Sequence, residues 1–470
     1  MERFKRVFFD ILTASISWVI FFYCRDIFIE ETYSTADIWK ITDIKILTGT
    51  IGVTIIWIVI YTLSGNYINV KRVSRLNELY RTVTQSVIGC LIIFFGLILN
   101  DIENYPNQNH TLYYQALLTL GIIHFLLTFF TRYILTNSMV KKIQQKKITF
   151  PTILIGNSTT IKKIFHSLEK MPKSTGNQLL GYINCDNNKT IEEINIPNLG
   201  NLNSVENIIT TKKIEEAIIA LDKDQLRKNI NIIHILIYHD IITKITPNLA
   251  DLLAGKVKMQ SLLDLPFVEI KKIKMSFFER FLKRTIDITF SIIALLMLSP
   301  FLITISLIVK LSSKGPVFYY QERLGHHNKP FKIIKFRSMH INSEKETPLL
   351  SSHNDQRITK WGKIMRKYRL DELPQFYNVL IGDMSIIGPR PERSFFAKQI
   401  IKQAPHYKLI HKVKPGITSW GMVKFGYAEN ISEMIERLKY DIIYLENLSL
   451  LNDFKVFALT IVIILQGRGK

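Results

Sequence analysis

Two adjacent carboxylates set among cations are the richest chemistry in this sequence. Asp371 and Glu372 stand in Arg366-Lys367-Tyr368-Arg369-Leu370-Asp371-Glu372-Leu373-Pro374-Gln375. Leu373, Phe376 and Leu380 recur at helical spacing, and proline is tolerated only in a helix's first turn, so the pair is predicted at a helix N-terminus. By itself the string reads equally well as an Asp N-cap with a dipole-favourable Glu beside it. Its surroundings favour a site. Arg366 and Arg369 lie just upstream, Arg390 follows in Gly388-Pro389-Arg390-Pro391, and Lys335 and Arg337 stand in Ile334-Lys335-Phe336-Arg337-Ser338. Carboxylates among cations at an anion-favouring helix terminus suit a diphosphate with a bound divalent ion. Phosphoryl transfer asks for an aligned nucleophile and positive charge on the non-bridging oxygens, and the sequence offers both.

The elements that must carry this chemistry begin in the membrane. Four apolar stretches, Val7–Cys24, Ile46–Leu63, Val83–Leu99 and Leu112–Leu135, are each close to the ~20 residues a helix needs to cross hydrocarbon. Asp10 interrupts the first and no small-residue cleavage site follows, so it is read as an uncleaved span rather than a signal peptide. Arg3, Lys5 and Arg6, the loop near Lys71, Arg72, Arg75 and Arg81, and Lys141, Lys142, Lys146 and Lys147 are basic. The loop Asn100–His110 carries Asp101 and Glu103 without Lys or Arg, and Asp26, Glu30, Glu31 and Asp37 mark the loop after the first span. By the positive-inside rule the N-terminus and everything from residue 140 onward face the cytoplasm.

From Phe150 to Leu249 strand-like runs (Thr152–Gly156, Leu179–Asn184, Ala217–Leu221) alternate with helical ones (Thr160–Lys170, Gln225–Tyr238), which predicts a Rossmann-like α/β module. Asn157-Ser158-Thr159 after Gly156 breaks the Gly-x-Gly-x-x-Gly fingerprint, so a structural or regulatory role is favoured over nicotinamide binding. Asp222-Lys223-Asp224 resembles a metal-binding Asp-x-Asp, but charges at a strand-to-helix turn explain it as well. A linker with Lys271, Lys272 and Lys274 leads to a fifth apolar segment, Ile286–Leu311. Ser299-Pro300 breaks it centrally, and Lys283 and Arg284 before it and Lys310 and Lys314 after it predict a hairpin returning to the cytoplasm. A kinked transmembrane helix stays open as the alternative. Gly315–Lys470 is mixed α and β, and its last apolar stretch, Phe454–Leu465, is too short to span and belongs in the interface or the core. The chain thus divides into four spans (1–139), an α/β module (140–250), a linker (251–282) and a C-terminal domain (283–470) that starts with the broken segment 286–311. Residues 140–282 are expected to stand outside the catalytic machinery.

Composition agrees with this layout. Apolar residues make up 47% of 470 residues while the net charge is +22, a combination rare in soluble domains and routine where a basic cytoplasmic face lies beside anionic lipid. Nothing resembles a nucleic-acid recognition module, so nucleic acid is excluded as a partner. Cys24, Cys90 and Cys185 are too scattered for a disulfide framework or a structural zinc site.

The C-terminal part resembles the bacterial sugar transferases, the monotopic polyprenyl-phosphate phosphoglycosyl transferases. The likeness starts at Lys283-Arg284-Thr285-Ile286-Asp287 and runs through Gly315-Pro316-Val317-Phe318, Gln321-Glu322-Arg323-Leu324-Gly325 and Lys335-Phe336-Arg337-Ser338-Met339. It continues in Asp371-Glu372-Leu373-Pro374-Gln375, Asn378-Val379-Leu380, Gly382-Asp383-Met384-Ser385, Gly388-Pro389-Arg390-Pro391 and Lys414-Pro415-Gly416-Ile417-Thr418. Four spans followed by a Rossmann-like module resemble the long-form members.

The resemblance implies a plasma-membrane enzyme with a cytoplasmic catalytic domain and a re-entrant helix broken at Ser299-Pro300. It would transfer a hexose 1-phosphate from a UDP-sugar to undecaprenyl phosphate, as the first step of exopolysaccharide, capsule or O-antigen-type assembly. It implies Asp371 as the nucleophile that expels UMP and forms an aspartyl phosphosugar, Glu372 as its partner, and Mg²⁺ with Asp371 as ligand. Lys335, Arg366 and Arg390 match phosphate-handling positions, and Arg337 and Gln375 complete the candidate phosphate- and substrate-binding set. A homodimer is left open. One departure is Ser419-Trp420, where many members have Gly followed by Leu or Trp. Two rivals predict other observables: an ordinary glycosyltransferase would release UDP, and a membrane-bound redox or nucleotide sensor would carry an intact Gly-x-Gly-x-x-Gly.

Overall fold

The computed structural model describes residues 2–29, 44–98, 111–171, 173–185, 191, 193–221, 223–246, 267–270, 274–341, 343, 348 and 355–467. Its first third is a bundle of α1 (Glu2–Ile29), α2 (Ile44–Leu63), α3 (Arg75–Ile93) and α4 (Thr111–Gln144). α3 runs on into a π-helical turn, Phe94–Ile98, and four segments are long and apolar enough to cross a membrane: Glu2–Cys24, Ile46–Leu63, Arg75–Gly96 and Leu117–Gln144. Phe21, Trp57, Tyr61 and Ile93 fill the interior. Asp10, which interrupts the first apolar run, faces inward and pairs with Arg132 at 2.8 Å, while Arg6 pairs with Glu78. Hydrocarbon penalises a lone charge, so these polar side chains meet inside the bundle rather than facing lipid. Glu30, Glu31, Asp37, Asp101 and Glu103, on which the orientation reading drew, lie outside the described residues.

The α/β unit holds β1 (Phe150–Gly156), α5 (Ser158–Glu169), β2 (Asn177–Asn184), β3 (Asn198–Gly200), α6 (Val205–Lys212) and β4 (Glu216–Ala220). It continues with α7 (Lys223–Lys228), α8 (Ile230–Tyr238), β5 (Ile242–Ile245) and β6 (Val268–Glu269). The sheet order is β3-β2-β1-β4-β5-β6, parallel except for the β5–β6 pair. Along β1 the side chains alternate between two cores. Ile153 and Ile155 pack with α6 and α8, and Leu154 packs with α5. Helices on both faces are what near-continuous apolar strands require.

Two sequence boundaries need correction. The sheet runs past residue 250, because β6 lies in the stretch read as a linker; a two-residue edge strand has no periodicity to reveal it. The helical run Gln225–Tyr238 is split at Asn229 into α7 and α8. Asp222, Lys271 and Lys272 lie outside the described residues. The unit is docked on both sides: Arg72, between α2 and α3, pairs with Glu215 and Glu216, and Lys412 of the C-terminal domain meets Asp240 at 2.7 Å.

The C-terminal domain opens with α9 (Phe277–Met297), whose first turn is closed by a reciprocal Ser276–Glu279 capping box. A 63° bend at Leu298 separates it from α10 (Ser299–Ser312), where Pro300 occupies the first turn. Proline is tolerated there because no intrahelical partner is lost. Leu296, Met297, Ile303 and Leu307 are exposed around the bend. The block Lys283-Arg284-Thr285-Ile286-Asp287 anchors α9 to the domain. Arg284 donates to the Val379 and Leu380 carbonyls (2.6 and 2.9 Å), Asp287 accepts from the Ile386 N–H (3.1 Å), and Lys283 pairs with Asp453 (2.6 Å).

After it come the antiparallel hairpin β7 (Phe318–Leu324) and β8 (Pro330–Phe336), α11 (Lys360–Lys367), α12 (Gln375–Ile381) and β9 (Ser385–Ile387). They are followed by α13 (Ser394–Gln403), β10 (Gly416–Thr418), α14 (Trp420–Lys424), α15 (Ile431–Glu446) and α16 (Leu450–Leu465). α16, which contains the Phe454–Leu465 stretch, buries Asp453 and Val456 and exposes Phe454 and Leu465, the two-faced burial of a helix lying on a surface.

Candidate active site

The carboxylate pair is placed by a tight chain reversal. Thr359 caps α11 by accepting from the Gly362 N–H at 2.9 Å. Gly362 sits against the chain leaving β8, where a Cβ would fall 2.0 Å from the Ser338 carbonyl oxygen. Arg369 then takes a left-handed conformation (φ 53°), and Leu370–Glu372 form a single 3₁₀ turn ahead of α12. The pair therefore precedes the helix instead of opening it, and Pro374 occupies the N-cap position of α12. The side chain of Asp371 caps neither the 3₁₀ turn nor α12, which removes the capping explanation of this string.

The two neighbouring carboxylates have different surroundings. Glu372, 5% exposed, accepts from Lys335 Nζ at 2.8 Å and lies 3.4 Å from Arg390 and 3.7 Å from Arg369. Burial alone would raise its pKa, but Lys335, Arg390 and Arg369 outweigh burial and hold it far below the usual range. Asp371, 7% exposed, faces a cavity of about 570 Å³ and forms no ion pair among the described residues. Burial, and then the charge of Glu372, push its pKa up against Lys335, Arg366 and Arg369. One carboxylate is locked by cations; the other is desolvated, open and electron-rich when ionised. That division suits a nucleophile beside a fixed electrostatic partner.

Lys335, Arg366 and Arg390 line the cavity beside Asp371. Arg366 is steadied by Ser338, to which its Nε donates at 3.0 Å. Arg337 also borders the cavity, but both terminal nitrogens of its guanidinium are occupied. It donates to the Ser313 (2.6 Å) and Lys314 (3.0 Å) carbonyls beyond the end of α10, clamping that helix to β8. Gly315 makes the clamp possible, since a Cβ there would lie 2.0 Å from Arg337 Nη1. Gln375 is buried at the start of α12 and does not line the cavity. Every cavity-lining residue falls between Pro316 and Arg437, outside the α/β unit.

Sequence reading missed several members of this wall. Tyr427 accepts from Arg390 at 3.3 Å, and the guanidinium lies 5.2 Å from its ring centroid. Glu392 is held between Arg323 (3.2 Å) and Arg437 (2.5 Å), which fastens the chain segment carrying Arg390 to β7 and α15. Arg323 and Glu392 stand in or beside noted blocks and were within reach. Tyr427 and Arg437 carry no local signal, because only packing brings α15 and the loop before it here. Among the described residues no three His, Cys, Asp or Glu side chains converge as a metal cage.

Comparison with known proteins points the same way. The family model for "Bacterial sugar transferase" matches residues 278–467. An Aeromonas hydrophila protein named UDP-N-acetylgalactosamine-undecaprenyl-phosphate N-acetylgalactosaminephosphotransferase is 39% identical over 236 residues, 50% of this chain and 54% of that protein. A UDP-glucose:undecaprenyl-phosphate glucose-1-phosphate transferase from Escherichia coli (strain K12) is 40% identical over 206 residues, 43% of this chain and 44% of the relative. A Caulobacter vibrioides protein of that same name is 34% identical over 181 residues, 38% of this chain and 68% of the relative. The chain thus spans about half the length of the first two relatives, 54% and 44%, and most of the third.

Proposed function

The chain belongs to the bacterial sugar transferase family, and we propose that it transfers a hexose 1-phosphate from a UDP-sugar to undecaprenyl phosphate, releasing UMP. The observation that carries this reading is the unequal carboxylate pair: Glu372 held by three cations, Asp371 open to a cavity walled by Lys335, Arg366 and Arg390. The relatives' names specify glucose in some and N-acetylgalactosamine in another, so the donor is taken as a UDP-hexose.

In the first step an ionised Asp371 oxygen bonds to the sugar-bearing phosphorus, and the bond from that phosphorus to the UMP oxygen breaks. In the second, an oxygen of undecaprenyl phosphate bonds to the same phosphorus and the Asp371 carboxylate leaves. One anhydride replaces another, so no outside energy source is needed. Lys335, Arg366 and Arg390 neutralise the phosphoryl oxygens throughout, and Glu372 keeps Lys335 and Arg390 in place before substrate arrives. Asp371 would hold a Mg²⁺ ion, in keeping with the one or two carboxylates plus substrate phosphates that Mg²⁺ commonly takes, and the ion would supply further charge neutralisation.

Incubating purified protein with a panel of UDP-hexoses and undecaprenyl phosphate should yield UMP and a lipid-linked diphosphate sugar. Release of UDP would sink the reading in favour of ordinary glycosyl transfer.

Two finer structural assignments belong with this reading. The sheet order 3-2-1-4-5 supports a Rossmann-like fold for the α/β unit. The 63° bend, the exposed apolar side chains around it and the basic residues at both ends support a re-entrant α9–α10 hairpin, with the active site on the cytoplasmic side. Cysteines replacing Arg280 and Lys314, one at a time in a protein lacking Cys24, Cys90 and Cys185, should be labelled from the side that labels a cysteine at Lys212 in the α/β unit. Labelling of the Lys314→Cys protein from the opposite side would establish a true crossing.

A further inference from the structure

We propose that Asn378 is a positioning residue for the reaction: its side-chain amide takes the place of a neighbouring strand beside β8 and sets where Lys335 meets Glu372 and the cavity. This rests on the proposed phosphosugar transfer and adds what holds one of its cations in place.

Lys335 serves two places at once. Its ammonium lies 2.8 Å from Glu372, and it lines the cavity beside Asp371. The strand that carries it is half of a two-stranded hairpin, an arrangement that needs a third element to hold it firmly. β7 pairs with one edge of β8, and among the described residues no strand pairs with the other.

Asn378, wholly buried on α12, meets that open edge. Its side-chain oxygen accepts from the Ile334 N–H at 3.0 Å, and its NH₂ donates to the Lys332 carbonyl at 2.9 Å. Residues two apart on a strand turn their backbone groups to the same edge, so one amide answers the N–H and the C=O that another strand would take. Turned over, the amide would set donor against donor and oxygen against oxygen, so its partners fix its orientation.

Apolar packing alone does not set this register. Ile333 and Val379, beside the bonded residues, share a core with Met384 and Ile386. Hydrophobic contact has no direction and lets a helix slide along a strand, whereas hydrogen bonds weaken steeply once misaligned. A slip of one residue would turn Lys335 to the opposite face of the hairpin. Arg337 ties the end of β8 to α10, and Asn378 ties its middle to α12. Glu372 and Asn378 belong to one short piece of chain, the 3₁₀ turn and the helix that follows it. The carboxylate and the amide therefore grip β8 together, and Lys335 is where the two grips meet.

A double-mutant cycle separates this role from general support of the fold. Asn378→Leu keeps much of the side chain's volume and removes both bonds. The Asn378 main-chain carbonyl, which accepts from the Gly382 and Asp383 N–H groups, is untouched. The change should lower kcat/KM for the UDP-sugar about tenfold, as partial loss of a charge-assisted contact does. Lys335→Met should lower it about 10²-fold, as loss of one donor to the developing charge does. In the Lys335→Met protein, Asn378→Leu should then cost no more than about twofold, because the group it positions is gone. Rates are taken per enzyme that forms the phosphosugar adduct, which removes misfolded protein from the count. Should the Leu variant not fold, Asn378→Asp takes its place in the cycle with the same expectation, since it keeps the bond from Ile334 and loses the donor to Lys332. A wild-type protein that turns over, while the Asn378 change costs nothing or costs the same in both backgrounds, overturns this proposal alone. A wild-type protein that releases no UMP from any UDP-hexose overturns the reaction and this inference with it.

Discussion

Asp371→Asn should abolish formation of a phosphosugar-labelled protein and lower turnover by about 10³-fold or more. With labelled UDP-sugar and Mg²⁺ but no lipid acceptor, the wild-type protein should release UMP in a burst matched to active enzyme. It should retain label in a hydroxylamine-sensitive bond, as an acyl phosphate must. Asparagine keeps the size of the side chain and removes its nucleophilic charge. In this position it cannot act through helix capping, because the Asp371 side chain caps neither the 3₁₀ turn nor α12. The same change should leave the fold intact or stabilise it. The folded-state pKa of Asp371 is raised by burial and by Glu372, so its ionised form costs stability above that pKa, and the neutral amide removes the cost. Persistence of the labelled intermediate in this variant would reject Asp371 as the nucleophile.

Glu372→Gln should have the opposite effect on stability, a loss of about 3 kcal/mol near neutral pH, read from thermal or denaturant unfolding in detergent. It leaves Lys335, Arg369 and Arg390 facing one another without the carboxylate they share. The sign follows from the folded-state pKa, which is depressed. Such a group stabilises the fold above its unfolded pKa and loses that contribution as pH falls through the folded value, so the gap between the two proteins should close in acid. UDP should restore more stability to the variant than to the wild type, since its phosphates take the place of the missing charge.

The pH profile of UMP release adds a second readout. The wild-type acid limb should lie above the ordinary aspartate pKa of about 3.9, because Asp371 must be ionised to attack and its pKa is raised. In Glu372→Gln that limb should move to lower pH, because one cause of the elevation is gone. An unmoved limb, together with unchanged stability, would show that the two carboxylates are not coupled.

Much of the architecture was legible because its causes are local along the chain. A bilayer demands an unbroken apolar run of fixed length, so α1 to α4 could be read directly, and Pro300 marks the break between α9 and α10 for the same reason. The alternation of strand and helix exposed the α/β unit, except for β6, which is too short to show a pattern. Lys335, Asp371, Glu372 and Arg390 could be nominated because short blocks bring charges into unusual density.

What the chain alone determined was therefore the spans, the broken helix, the parallel sheet and a set of charged candidates. Tertiary structure decided which charge does what. Adjacent in sequence, Asp371 and Glu372 differ because β8 and the Arg390 segment deliver their cations to one and leave the other facing the cavity. Arg337, two residues from Lys335, is turned to the end of α10, and Tyr427 and Arg437 enter the wall only through the packing of α15 and the loop before it. Burial and through-space charge have no period along a chain, so a role set by them becomes visible only once the elements are assembled.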